Sequence, residues 1–226
     1  MHCLWCNSQI IQEVNWENLF ILAKPKNLCQ PCEEELEVLH GERCRRCSRI
    51  SEDEVCLDCK WWDEQASRDT ITSNFSVFAY NEMMQDMIAK WKYRGDYHLG
   101  NAFKSYFTQS FHEAFSYLDK DAIAVPVPLS NERLLERGFN QAKMLADFLP
   151  IETKEVITRV HTEKQSKKTR RERIGTKNPF EITKSINKSV ILVDDIYTTG
   201  TTLRHAGALL HEHGCRKVYA YTLIRG

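Results

Sequence analysis

One thirteen-residue stretch, Val190 to Thr202, limits what this chain can fold into more than any other. Four consecutive aliphatics, Val190-Ile191-Leu192-Val193, read as a strand buried on both faces, the environment of a parallel sheet. Two carboxylates, Asp194 and Asp195, follow where that strand should end, and then comes Thr198-Thr199-Gly200-Thr201-Thr202. Leu203, Ala206, Leu209 and Leu210 next recur at helical spacing, so the loop opens a helix. Strand, acid pair, hydroxyl-rich turn and helix N-terminus in this order describe an anion site. Backbone N–H groups and the positive end of the helix dipole would meet a phosphate. Threonine hydroxyls add donors, and Gly200 lets the backbone approach closely. The aspartates would hold sugar hydroxyls, or a magnesium ion carrying further phosphates. A lone Thr-Thr-Gly would fit an ordinary polar turn; the full series favours a phosphate.

The second constraint is cysteine. Eight of nine fall into four Cys-x-x-Cys pairs before residue 60: Cys3/Cys6, Cys29/Cys32, Cys44/Cys47 and Cys56/Cys59. Two such pairs complete one tetrahedral structural zinc site. In order, the first four cysteines make one site and the second four another, although spacing alone leaves crossed pairings open. Disulfides would need an oxidising compartment. The N-terminus shows no basic segment followed by an apolar core, so no signal peptide is read there. A redox Cys-x-x-Cys occurs once and opens a helix, and iron–sulfur ligation uses other spacings. Ile10, Ile11, Leu19, Phe20, Ile21 and Leu22 are too few to bury a core of their own. Zinc binding, typically about 10–16 kcal/mol per site in small peptides, would supply what that core lacks. With four cysteines on each ion, no coordination position stays open for catalysis. Cys215, alone near the end of a helical pattern, reads as a small buried hydrophobe.

The 31 basic and 31 acidic residues cancel, so overall charge excludes no partner class. No window of about twenty apolar residues exists, so an integral membrane protein is not expected and a cytoplasmic one is. Locally, Arg43, Arg45, Arg46 and Arg49 cluster beside Cys44 and Cys47. They would touch nucleic acid or a partner, or form a solvated surface. From Lys60 to Asn74 periodicity fades apart from Trp61-Trp62, which reads as a linker whose tryptophans pack two parts together. The expected division is a zinc module with its linker over 1–68 and an α/β domain over 69–226.

Within the second part, Phe75, Val77, Phe78 and Tyr80 mark a strand, and Met83, Met84, Met87, Ile88 and Trp91 a helix with a core-facing stripe. A second helix is expected from His98 to about Tyr117, on Leu99, Phe103, Phe107, Phe111 and Phe115. Ala122 to Val125 is a short buried strand that Val125-Pro126-Val127-Pro128 ends at once. A helix beginning near Arg133 follows, then a strand over Val156–Val160. Between Arg159 and Lys177 stand eight Lys/Arg against two Glu. That basic stretch, expected between two sheet strands, reads as a long excursion or a polar helix. It would be a lid over the ligand or a nucleic-acid contact, through Lys164, Lys167, Lys168, Arg170, Arg171 and Arg173. A helix to about His213 and a strand over Val218–Leu223 finish the chain. Strands separated by helices require a mostly parallel sheet with right-handed crossovers, and ligands bind at its carboxyl edge.

The Asp-Asp-threonine stretch resembles the signature of type I phosphoribosyltransferases. That resemblance implies that Thr198, Thr199, Gly200, Thr201 and Thr202 wrap the 5′-phosphate of phosphoribosyl pyrophosphate (PRPP), and that Asp194 and Asp195 face its ribose. It also implies that Val127, Pro128 and Leu129 hold the pyrophosphate. A narrower resemblance comes from motifs in series. These are the four cysteine pairs, Lys92-Tyr93-Arg94-Gly95-Asp96, Val125-Pro126-Val127-Pro128-Leu129, Arg137-Gly138-Phe139-Asn140-Gln141, Gln165-Ser166 and the Asp-Asp loop. Together they are similar to the ComF (ComFC) family of competence proteins over essentially the whole chain. The family implies a parallel-sheet phosphoribosyltransferase fold with a double zinc ribbon, two structural Zn2+ ions, and Mg2+ with PRPP. It further implies a cytoplasmic role in natural transformation, on incoming single-stranded DNA and beside a DNA helicase at the inner membrane face. It does not establish turnover: many phosphoribosyltransferases build an acceptor hood from terminal segments. With Gly226 directly after the last strand, a hood here is expected from the zinc module, where no base pocket is legible.

Overall fold

The computed structural model describes residues 1–11, 26–65, 70–160 and 178–226. Five strands, all parallel, form its central sheet: β1 (Asn74–Ala79), β2 (Ile123–Pro126), β3 (Glu152–Thr153), β6 (Val190–Tyr197) and β7 (Val218–Arg225), in the order β1-β7-β6-β2-β3. The two longest strands lie in the middle and are buried along their apolar runs, as Val190 to Val193 required.

Side chains alternate between the faces. Ile191, Val193, Tyr221 and Leu223 join the core beneath α3 (Glu82–Tyr93), α4 (Lys104–Ala114) and α6 (Gln141–Ala146). Val190, Leu192, Val218 and Ala220 join the opposite core, with Leu203, Ala206 and Leu210 of α7 (Thr201–Glu212). The methionine stripe of α3 is core: Met84, Met87 and Trp91 are fully enclosed. Asn81 starts that helix by accepting from the Met84 N–H. The helix expected from His98 is instead a 3-10 segment over Tyr97–Phe103 that continues into α4, with the five predicted apolar residues all buried. Tyr221 packs against Phe107 and Phe111, with ring centroids 4.2 and 5.6 Å away, and donates its hydroxyl to the Phe107 carbonyl at 2.6 Å.

Three expectations need correction. The chain around Val156–Val160 does not enter the main sheet: β4 (Ile157–Arg159) pairs antiparallel with β5 (Phe180–Ile182) in a separate ribbon, and Glu152–Thr153 supplies the edge strand. At one end of that ribbon the Val160 N–H meets the Pro179 carbonyl. The helix expected near Arg133 is two helices, because Gly138, at φ 78°, ends α5 (Asn131–Arg137) with a left-handed cap before α6 begins. Nor is Lys60 the start of a linker: α2 (Leu57–Gln65) runs through both tryptophans.

The cysteine-rich segment wraps the edge of β1. Val38 bridges Phe78, the Leu39 N–H reaches the Val77 carbonyl, and the Asn74 N–H reaches Arg46. An open sheet edge is thereby covered, which removes a site for stray strand pairing. Cys3 and Cys32 belong to one core and Cys44 to Cys59 to the other. No helix among the described residues is long and apolar enough to cross a membrane.

Candidate functional site

The two loops predicted to hold an anion meet where the chain reverses direction across the sheet. From β2 it proceeds outward to β3; from β6 it crosses the other way, through α7, to β7. Oppositely directed crossovers leave a crevice above adjacent strand ends, and open α/β sheets bind ligands there. β2 and β6 are hydrogen-bonded neighbours, with Pro126 opposite Val193. Residues 127–129 and 198–202 therefore emerge side by side.

β6 does not end before the acid pair; it continues through Asp194 and Asp195 to Tyr197. Asp195 is held by Lys92 at the end of α3, Nζ to Oδ2 2.7 Å, with both side chains less than 15 % exposed. Its N–H donates to Asp194 Oδ1 at 2.9 Å. Burial, reinforced by the neighbouring Asp195 charge, pushes the Asp194 carboxyl up to about 7; Lys92 and Arg159 act against that rise. Arg159 reaches this neighbourhood from β4, and burial plus the charge of Arg133 hold its own proton affinity down. Lys92 and Arg159 thus supply positive charge beside the acids. No role for either was legible in the sequence, although Lys92 opens one of the motifs that carry the family resemblance.

The threonine loop is braced from behind. Gly200 takes φ 76° and caps α7, a conformation that side-chain-bearing residues adopt at a cost. Arg225 Nη1 donates to the carbonyls of Tyr197 and Thr198, at 3.1 Å each, and Trp62 Nε1 donates to that of Thr199 at 3.0 Å. Arg204 Nη1 binds the Tyr197 hydroxyl at 2.8 Å. Thr199 and Thr201 share a hydrogen bond between hydroxyls, while Thr198 and Thr202 are exposed. With carbonyls tied to the protein and the first-turn N–H groups of α7 lacking helical partners, the loop offers donors to an anion.

The loop after β2 contributes less than its position suggests. The Val127 N–H extends the ladder to the Val193 carbonyl, and its own carbonyl accepts from Asn140 Nδ2. Pro128 has no N–H, so backbone donors begin at Leu129. Arg137-Gly138-Phe139-Asn140-Gln141 is the scaffold of this turn. Phe139 packs on Trp91 and Tyr97, and Asn140 also caps α6 through the Ala142 N–H. Lys164, Lys167, Lys168, Arg170, Arg171 and Arg173 lie outside the described residues.

The cysteines group in chain order, not crossed: Cys3, Cys6, Cys29 and Cys32 in one cluster, Cys44, Cys47, Cys56 and Cys59 in the other, with ligand atoms within 4.8 Å of one another in each. Neighbouring sulfurs stand 3.5 Å (Cys6–Cys29), 3.8 Å (Cys44–Cys59) and 3.6 Å (Cys47–Cys56) apart. Zn–S bonds of about 2.3 Å place tetrahedral sulfurs about 3.8 Å apart, so both donor sets fit a zinc ion. The two clusters repeat one plan. In the first, the Cys3 N–H reaches Ser8 and Asn7 takes φ 62°; in the second, the Cys44 N–H reaches Arg49 and Ser48 takes φ 60°. The second pair of each cluster opens a helix, Cys29/Cys32 at α1 (Gln30–Glu34) and Cys56/Cys59 at α2. In the arginine cluster, Arg45 pairs with Glu54, Arg46 with Asp63 and Arg49 with Asp58, while Arg43 lies over Phe75.

Comparison with known proteins follows the same lines. Residues 134–226 match the phosphoribosyl transferase domain family. The chain is 41% identical to Competence protein ComFC of Bacillus subtilis, over 99% of this chain and 94% of that one. It is 30% identical to Competence protein ComFC of Streptococcus pneumoniae over the full length of both. A solved hypoxanthine phosphoribosyltransferase of Staphylococcus aureus covers 56% of this chain and 64% of its own, at 18% identity and a TM-score of 0.34. Similarity from the first cysteine pair to the last strand, on a sheet whose switch point carries the Asp-Asp-threonine loop, places this chain in the ComFC family of competence proteins.

Proposed function

We propose that this protein binds PRPP at the carboxyl edge of its sheet and serves natural transformation as a factor that handles incoming single-stranded DNA. The observation that carries the PRPP half is the braced loop at the switch point. Thr198 to Thr202 would take the 5′-phosphate, with Asp194 and Asp195 facing the ribose beneath it and residues 127–129 beside the pyrophosphate. Lys92 sets the orientation of Asp195, and Arg159 adds positive charge for a polyanion. Magnesium, when bound with PRPP, would offset phosphate charge; the acid pair and its neighbours are the residues able to hold it. The eight cysteines would hold two structural Zn2+ ions. The DNA half rests on the family together with the basic stretch between β4 and β5. A DNA helicase is its expected partner.

Titration calorimetry with Mg2+ and PRPP tests the first half: binding that Asp195→Asn and Gly200→Ala abolish supports it, and no heat from the wild type refutes it. Single-strand binding measured against salt tests the second, where a flat or absent response removes the electrostatic contact. One observation favours turnover as an alternative: a carboxyl at about 7 can exchange a proton near neutrality, as acceptor activation requires. Pyrophosphate release from PRPP across a panel of bases and nucleotides decides it.

A further inference from the structure

The second cysteine cluster and the anion loop are joined by side chains that make few other commitments. Helix α2 has two buried residues, Cys59 and Trp62, three apart and so on one face. The first is a candidate metal ligand. The second reaches across to donate Nε1 to the Thr199 carbonyl at 3.0 Å, while its ring lies 4.5 Å beneath the Arg204 guanidinium. A nine-residue helix has little stability of its own, so its N-terminal ligands, this tryptophan and the Arg46–Asp63 and Arg49–Asp58 pairs hold it. A second connection runs through Arg225, which is 7 % exposed. Its Nη2 lies 3.6 Å from Cys47 Sγ, and its Nη1 holds the carbonyls of Tyr197 and Thr198. Consecutive carbonyls at 197, 198 and 199 are thus fixed by donors that the second cluster orients. The first cluster, by contrast, lies in the opposite core.

We propose that the second cysteine cluster positions the anion loop. Trp62 and Arg225 are its positioning residues, carrying the geometry of Cys44, Cys47, Cys56 and Cys59 to the backbone of Thr198 and Thr199. The ligand affinity of the loop then depends on whether those four thiolates are held together, and the first cluster has no such control. The identity of the ligand rests on the reading above; the coupling itself does not.

The test uses the full-length chain and reads hydrogen–deuterium exchange of the amides at 198–203, alongside Mg2+/PRPP affinity. Emptying the second cluster with Cys56→Ser/Cys59→Ser should raise exchange at 198–203 about tenfold or more, whereas Cys6→Ser/Cys29→Ser should leave it unchanged. Trp62→Phe keeps an aromatic ring for Arg204 and removes the N–H together with the five-membered ring that carries it. It should weaken PRPP binding about fivefold, the net worth of roughly one hydrogen bond, with the cysteines intact. Arg225→Gln should do at least as much, and Arg225→Lys should recover part of it. Equal loop exchange in all these variants, or equal loosening by either cluster, overturns the proposal. If the double cysteine variant does not fold, Trp62→Phe and Arg225→Gln decide alone. Should the wild type bind no PRPP, the exchange readout still judges the coupling, because it needs no ligand.

Discussion

Replacing Asp194 by Asn should stabilise this protein above neutral pH and leave it unchanged in acid. In the folded chain the Asp194 carboxyl titrates at about 7 instead of its ordinary 3.8, with burial as the first cause and the Asp195 charge as the second. A raised carboxyl binds its proton more tightly in the native state than in the unfolded one. Its favourable contribution is complete below about pH 4 and is lost as pH rises through about 7. At about 1.4 kcal/mol per pH unit, the interval sets a ceiling of about 4 kcal/mol. Asp194 is only partly buried by surface area, so water screens some of this, and a difference of about 1–3 kcal/mol is expected. Asn retains an Oδ1 for the Asp195 N–H and cannot ionise. Urea unfolding of both proteins from pH 4 to pH 8 should give coincident stabilities at the acid end and an advantage for the variant that opens between about pH 4 and pH 7 and then levels off. A gap that does not change with pH, or a variant less stable at pH 8, would mean that burial does not hold the proton on Asp194. The same substitution should weaken Mg2+/PRPP binding, the pattern of a group retained for function at a cost in stability.

Gly200→Ala should destabilise by roughly 2–4 kcal/mol in denaturant titration. A left-handed alanine costs about 1 kcal/mol, and its Cβ would collide with the Tyr197 ring and the Arg204 guanidinium. Lys92→Met leaves Asp195 without its cation in a largely enclosed setting. Chemical denaturation at pH 8 should show a loss of about 1–3 kcal/mol. Tyr221→Phe removes the buried hydroxyl on the Phe107 carbonyl, and thermal unfolding should report about 1–2 kcal/mol with PRPP binding intact.

Local signals in this chain proved dependable where they were periodic or spaced by chemistry. Val190 to Leu210 was legible as strand, acids, loop and helix, because burial on both faces, a turn glycine and helical spacing each leave a pattern within a few residues. The Cys-x-x-Cys pairs were legible because a tetrahedral ion imposes its own spacing. Less was legible where a residue's partner lies far along the chain. Nothing near Lys92 announces Asp195, nothing near Trp62 announces Thr199, and nothing near Arg225 announces Cys47. Val156 to Val160 has a strand's composition, but composition does not say which sheet a strand joins, and this one pairs outside the central five. The sequence by itself determined the parts: an anion loop at the end of a buried strand and two cysteine clusters. Tertiary structure alone decided that β2 lies beside β6, that the chain diverges there, and that the second cluster reaches the back of the loop. The physical reason is that strand order and cross-chain hydrogen bonds are set by packing between distant segments, which no local period records.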